Sequence, residues 1–198
     1  MARITKITLT LCALCTFAAA QQTEVFTDPR DGHKYLTVMM ANKTWMAENL
    51  NHNTNKSWCY ENNNSNCSKY GRLYDWNTAM RACPSGWRLP DSDDWDDLIQ
   101  EAGGASSAGK MLKSKTGWSQ NGNGMDVYGW SALPGGYGGP QGIFGGKKFM
   151  AVGTMGSWWS ATEVGGYVVI RIINSNKDEM LELPYYKDIG QSVRCVKD

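Results

Sequence analysis

Five carboxylates fall within seven residues at Asp91-Ser92-Asp93-Asp94-Trp95-Asp96-Asp97, a dense set of ligands for a hard cation. The segment lacks the central glycine and closing glutamate of an EF-hand loop, and on a helix its side chains would fan apart. At a helix start the same residues accept backbone N–H groups and suit the positive end of the dipole, so N-capping is the expectation. His33 and His52 stand in different segments without a spaced partner, which reads as surface residues and assigns no metal. No Gly-x-Ser-x-Gly elbow presents a nucleophilic serine. The glycines from Gly135 to Gly146 lead into Lys147-Lys148, with no Ser or Thr after the lysine and no glycine five residues before Gly146. They therefore make turns and not a phosphate loop. No catalytic residue and no cofactor follows from these patterns.

The aromatic residues offer a different chemistry. The chain has nine Trp and nine Tyr but only four Phe, a bias toward rings with an apolar body and a polar tip. Trp118, Tyr128, Trp130, Tyr137 and Phe144 are spread through a glycine-rich stretch, Gly117 to Gly156, that has no clear periodicity. Such a stretch within a compact domain is functional or held by its own packing. As a carbohydrate site it would use Trp118, Trp130 and Tyr137 as platforms for the C–H faces of sugar rings. Gln120, Asn121, Asn123 and Asp126 are near enough in sequence to supply polar contacts, with Asn121 and Asp126 the chosen pair. The competing reading is that these rings pack the loop onto the helices, above all Trp130, just before Ser131-Ala132-Leu133.

Those residues must be positioned by elements legible elsewhere in the chain. Trp95, Leu98, Ile99 and Ala102 form one apolar stripe at the helical period, between the Pro90-Asp91 start and the Gly103-Gly104 stop. This predicts a helix over Asp91 to Ala102. Trp76, Ala79, Met80 and Cys83 repeat the stripe and predict an earlier helix ending near Cys83, with a further turn over Ala108 to Leu112. Tyr35 to Met40 and Thr44 to Met46 read as a hairpin about Ala41-Asn42-Lys43. Asn49 to Ser68, dominated by Asn and Ser, reads as a surface loop. Short strands are predicted at Ser157 to Ala161, Tyr167 to Ile173, Met180 to Leu183 and Ser192 to Val196. Early strands, two helices, a long loop and a terminal antiparallel set make an α+β domain.

The first twenty residues read as an export signal: Arg3 and Lys6 precede an apolar run, Ile7 to Phe17, that closes in Ala18-Ala19-Ala20. That run is too short to span a bilayer, and Leu11 and Leu14 stand where a lipoprotein signal before Cys12 or Cys15 wants a small residue. The expected organisation is a signal peptide over 1–20, an arm over 21–32 and one domain over 33–198, secreted or held at the cell surface. Losing Arg3 and Lys6 takes the net charge from +1 to about −1, which gives no electrostatic case for nucleic acid or an anionic membrane. Four cysteines remain after the leader, and an even number in an exported chain implies two disulfides in one of three connectivities. Cys59 and Cys67 flank a polar stretch that suits a local clasp; Cys83 and Cys195 would then tie the helical region to the last strand. Zinc is disfavoured by intervals of seven and fifteen residues with no histidine nearby.

Several segments together carry a family resemblance. They are Trp45-Met46-Ala47-Glu48-Asn49-Leu50, Trp58-Cys59-Tyr60 and Tyr70-Gly71-Arg72-Leu73-Tyr74. Ala82-Cys83-Pro84-Ser85-Gly86-Trp87-Arg88-Leu89-Pro90 and Ser131-Ala132-Leu133-Pro134-Gly135-Gly136 follow, then Trp158-Trp159-Ser160-Ala161-Thr162 and Ser192-Val193-Arg194-Cys195-Val196. In this order, over about Asp28 to Asp198, they resemble the Fibrobacter succinogenes major paralogous domain. The resemblance implies an exported domain that occurs in many paralogous copies, with no defined activity. More loosely the chain is similar to the C-type-lectin-like fold, including the formylglycine-generating enzymes. There a Gly-x-Arg-Leu-Pro turn precedes a helix bearing Trp at the position of Trp95. In lectin-like domains a cysteine near the first helices pairs with one in the last strand, as Cys83 and Cys195 would. The lectin calcium motifs Glu-Pro-Asn, Gln-Pro-Asp and Trp-Asn-Asp are absent from the sequence, so calcium-dependent sugar binding is not expected. The function expected is a non-catalytic binding or surface-interaction domain contacting polysaccharide or an envelope protein. The alternative is an enzyme on the formylglycine-generating scaffold with altered chemistry, which would need free thiols.

Overall fold

The computed structural model describes residues 23–140, 142, 146 and 148–198; the expected leader over 1–20 and Phe144 lie outside them. The described chain opens with β1 (Glu24–Thr27), β2 (Lys34–Met40), β3 (Lys43–Met46), β4 (Ser57–Trp58), a 3-10 turn (Tyr60–Asn62), α1 (Asn64–Tyr70) and β5 (Leu73–Tyr74). It continues through α2 (Trp76–Ala82), α3 (Ser92–Glu101), α4 (Ala105–Leu112), β6 (Tyr137–Gly138), β7 (Phe149–Met150) and β8 (Met155–Val164). The last elements are β9 (Tyr167–Asn174), β10 (Met180–Tyr185), β11 (Gln191–Ser192) and β12 (Val196–Lys197). The protein is thus α+β. One sheet has the order β1-β2-β3-β12, a second β10-β9-β8-β11-β5-β4, and β6 pairs with β7.

Local chemistry explains the elements that were predicted. The β2–β3 hairpin turns on two residues, Ala41 and Asn42, with φ of 52° and 58°, the doubly left-handed turn that matches strand twist. Lys43 belongs to the strand and faces Met40. Helix α3 buries Trp95, Leu98 and Ile99 as its stripe requires. Its acidic start is a capping box: Asp91 accepts from the Asp94 N–H at 3.0 Å and Asp94 accepts from the Asp91 N–H at 2.9 Å. The carboxylate run therefore serves the helix. Asp94 is buried and also holds the Lys43 ammonium at 2.7 Å and the Arg88 guanidinium.

Three segments differ from expectation. The supposed loop Asn49 to Ser68 contains β4 and α1, a helix of poor formers fixed by the Asn63 cap and by burial of Cys67 and Tyr70. The supposed arm carries β1, paired with β2 from Glu24↔Thr37 to Thr27↔Lys34. The terminal strand is broken: β11 ends in the larger sheet and β12 lies in the smaller, with Val193, Arg194 and Cys195 wholly buried at the crossing. The helix α2 also turns Met80 outward, 43% exposed, so Ala79 and Ala82 carry its buried face.

The larger sheet sorts its side chains by strand alternation. Trp158, Ile173 and Met180 face a core shared with Trp95, Leu98 and Ile99 of α3 and Leu112 of α4. Trp159, Ile170 and Ile172 face a second core shared with Ala79 and Ala82 of α2. The disulfides Cys59–Cys67 and Cys83–Cys195 form as expected, with Cα separations of 4.9 and 5.8 Å.

Cys83–Cys195 closes 112 residues and Cys59–Cys67 only 8. Chain entropy assigns about 4–5 kcal/mol to the first and about 2–3 kcal/mol to the second. Urea denaturation of Cys83→Ser and Cys59→Ser should therefore rank the first as the more destabilised. A second expectation concerns acid. Burial raises the Asp94 carboxyl pKa, but Arg88, Lys43 and the Asp91 N–H outweigh it and hold it well below 3.8. Stability from this group is complete above the unfolded pKa and is lost as pH falls through about 4 toward the folded value. Asp94→Asn should cost about 2–3 kcal/mol at pH 7 and flatten the stability curve between pH 4 and 2. Part of the remaining slope belongs to Asp28, whose carboxyl Arg30 holds low.

Candidate ligand-binding groove

On the Trp159 face of the larger sheet the second core stops short of one end. Met155 and Ser157 of β8, Ile170 and Ile172 of β9, Leu183 and Tyr185 of β10 and Gln191 of β11 line a groove there. Tyr137 of β6 overhangs it, and the enclosed volume is about 200 Å³. The register explains the lining: Ser157 lies opposite Ile172, and Ile170 lies between Trp159 and Leu183. The β6–β7 hairpin is brought against β11 by the Gly138 N–H donating to the Gly190 carbonyl at 2.9 Å. A side chain at Gly190 would collide with the Gly138 carbonyl, so glycine is required where the two segments meet.

The walls are apolar and aromatic, and the floor is polar. Tyr137 and Tyr185 meet edge to face at 6.0 Å, and the ladder continues from Tyr185 to Tyr186 at 6.1 Å and from Tyr186 to Tyr167 at 5.6 Å. Tyr167 and Tyr186 are 45% and 46% exposed, so the ladder runs from the groove onto open surface. Burial and the neighbouring Tyr137 push the Tyr185 phenol up, which keeps it a neutral hydrogen-bonding group at ordinary pH. Gln191 and Ser157 are 0% and 1% exposed. Among the described residues, neither the Gln191 amide oxygen and nitrogen nor the Ser157 hydroxyl has a hydrogen-bond partner. Among the described residues no Asp, Glu, Lys or Arg lines the groove. A buried polar group without a partner costs about 1–3 kcal/mol, so such a floor matches a ligand that completes it.

A larger cavity, about 390 Å³, opens between Arg30, His52, Lys56 and Arg81. Its lining is mainly polar, and its charged groups are largely engaged. Arg30 donates to both oxygens of Asp28 and to the Ala82 carbonyl, and Lys56 reaches Asp75 at 3.5 Å. Asp28, Asp31 and His52 are the one group of metal-ligating types gathered closely among the described residues. A cation there would have to displace Arg30 from Asp28. His52 does have a partner that sequence spacing concealed: its Nδ1 lies 2.7 Å from Asp31, 21 residues earlier.

The residues proposed from sequence divide sharply. Tyr137 lines the groove. Trp118 is buried, its Nε1–H donating to the Ala132 carbonyl at 2.9 Å, and Lys113 lies over its ring. Trp130 is wholly buried among Trp45, Trp95 and Trp158, with the Arg194 guanidinium 4.0 Å above it. Both are core rings and cannot serve as platforms. Asn121 is exposed and away from the groove, and Asp126 accepts from the Ser131 N–H and hydroxyl at 2.8 and 2.6 Å, closing its own loop. Ser157, Tyr185 and Gln191 were not singled out by sequence; the adjacent Tyr185-Tyr186 at a strand end was the available signal.

Fold and groove together define an exposed concave site on a disulfide-bonded α+β domain. The chain belongs to the Fibrobacter succinogenes major domain family, whose model matches residues 38–197. No curated protein and no solved structure matches it.

Truncating Trp130 should behave as a core lesion: Trp130→Ala is expected to lose about 3–5 kcal/mol in urea denaturation. A platform residue at the surface would leave the midpoint unchanged.

Proposed function

We propose that the protein is an exported, non-catalytic binding domain that holds a neutral carbohydrate in the Tyr137–Tyr185 groove. The observation that carries this reading is the tyrosine ladder leading from an uncharged groove with an unsatisfied polar floor onto the surface. Aromatic faces suit the C–H faces of sugars, and a few fixed polar groups set orientation. Among the described residues no charged side chain lines the groove, which disfavours phosphorylated or acidic ligands. Two disulfides support an oxidising, extracytoplasmic setting. Among the described residues no helix is long and apolar enough to cross a membrane.

We extend the proposal to a C-type-lectin-like fold. It is supported by the Cys83–Cys195 bond from the end of α2 to the chain's last segment, and by β12 pairing with β3 from the opposite end of the sequence. The enzyme alternative needs a reactive cysteine pair, and Cys59, Cys67, Cys83 and Cys195 are all engaged in disulfides.

The test is retention of the mature protein on insoluble cell-wall polysaccharide. Tyr137→Ala and Tyr185→Ala should each weaken retention about three- to tenfold with little change in melting temperature. A chelator should have no effect. Retention unchanged in both variants, or abolished by chelation, would overturn the assignment.

A further inference from the structure

We infer that the floor of the groove seats the acetamido group of an N-acetylated sugar, an inference that rests on the carbohydrate reading above. Three polar atoms there have no partner among the described residues: the Gln191 oxygen, the Gln191 nitrogen and the Ser157 hydroxyl. An acetamido group carries one N–H donor, one carbonyl acceptor and one methyl. Its N–H can donate to the Gln191 oxygen, and its carbonyl can accept from the Gln191 amide or the Ser157 hydroxyl. Its methyl then meets Met155, Ile170, Ile172 and Leu183, which form the apolar wall beside those atoms.

A plain glucose unit fits this floor poorly. Each of its hydroxyls must find a partner once buried, and the side chains of Met155, Ile170, Ile172 and Leu183 beside Gln191 and Ser157 offer none. The volume argues the same way. At about 200 Å³ the groove falls below the roughly 300–1,000 Å³ of pockets that enclose whole ligands, so it suits one substituent of a longer chain. The rest of the chain then lies outward along Tyr185, Tyr186 and Tyr167. A peptide also carries amides, but in that apolar groove each further peptide unit would bury a donor and an acceptor. Peptide recognition by a sheet uses the hydrogen-bonding edge of a strand, whereas this groove lies on a sheet face.

The test compares three probes by calorimetry on the exported protein: triacetylchitotriose, cellotriose and N-acetylalanine N′-methylamide. Triacetylchitotriose should bind at least about tenfold more tightly than cellotriose, and the peptide unit, which carries the same acetamido group without sugar rings for the tyrosine ladder, should bind more weakly than triacetylchitotriose. Gln191→Leu and Ser157→Ala should keep the melting temperature and abolish the preference between the two sugars. Equal or tighter binding of cellotriose overturns the acetamido assignment and leaves the carbohydrate reading standing. Binding of neither sugar overturns both, and tightest binding of the peptide unit replaces sugar by peptide. A preference that survives both substitutions also removes the assignment from this floor. If Gln191→Leu fails to fold, the side-chain amide resonance of wild-type Gln191 decides: it should shift with triacetylchitotriose and stay in place with cellotriose.

Discussion

A guanidinium sits at the centre of this protein, and among the described residues no carboxylate forms an ion pair with it, although Glu48 and Asp126 act on its charge from further off. Arg194 is wholly buried, and burial brings its pKa down to about 9, which still leaves it charged at neutral pH. An isolated buried charge is prohibitive unless its hydrogen-bonding capacity is filled. Here Nε donates to the Asn49 side chain at 2.8 Å, one terminal nitrogen to the carbonyls of Met46 and Trp130, and the other to Ser131 at 3.0 Å. The Trp130 face supplies a further attraction. These partners come from the end of β3, the segment after it, and the middle of the long glycine-rich stretch. Each must be in place for the charge to be tolerated, so one residue near the C-terminus fixes three distant pieces of chain.

Asn49 passes that constraint on to the larger sheet. Its Oδ1 accepts from both Arg194 and the Trp158 indole, while its Nδ2 donates to the Tyr70 carbonyl at 2.8 Å and to the Ser192 hydroxyl at 3.3 Å. Trp158 on β8 and Ser192 on β11 are thereby held by one side chain, and they are the two residues paired in the parallel β8–β11 contact. Moving one residue back along each strand reverses the face and places Ser157 and Gln191 on the groove side. The groove floor is thus a geometric consequence of the buried arginine. Lys113 repeats the device elsewhere: it is buried and donates to the carbonyls of Asn174, Ser175 and Lys177, pinning the β9–β10 connection.

Much of this frame was legible in the sequence because its signals are local. The α3 stripe, its acidic cap and the β2–β3 turn each depend on residues within about one or two turns of chain. The cysteine pairing was legible because only one local clasp was available. The two readings of Trp118 and Trp130, platform or packing ring, could not be separated in sequence for a physical reason: a ring with a polar tip in a glycine-rich stretch looks the same whether its face meets a sugar or another indole. What separates the two is the arrival of Trp45, Trp95 and Arg194 from remote positions. The groove was illegible for the same reason, since Tyr137, Ser157, Tyr185 and Gln191 come together only through sheet order. Helix α1 escaped because Asn and Ser carry no helical pattern, and its burial of Cys67 and Tyr70 makes it a tertiary product.

The segments that carry the family resemblance turn out to surround the groove without forming it. Tyr137 directly follows Gly136, Ser157 directly precedes Trp158, and Gln191 directly precedes Ser192. In each case the motif residue faces the core or a tight backbone approach, and its neighbour faces the opening. Gly136 illustrates the motif side: its φ is +67°, and a side chain there would meet the Met150 carbonyl and the Tyr60 ring. Strand alternation therefore separates two tasks between adjacent positions, one set holding Arg194 and Asn49, the other presenting chemistry outward. Substitution on the outward set touches none of the hydrogen bonds that satisfy the buried guanidinium. A frame built in this way can accept a different groove floor without losing its core.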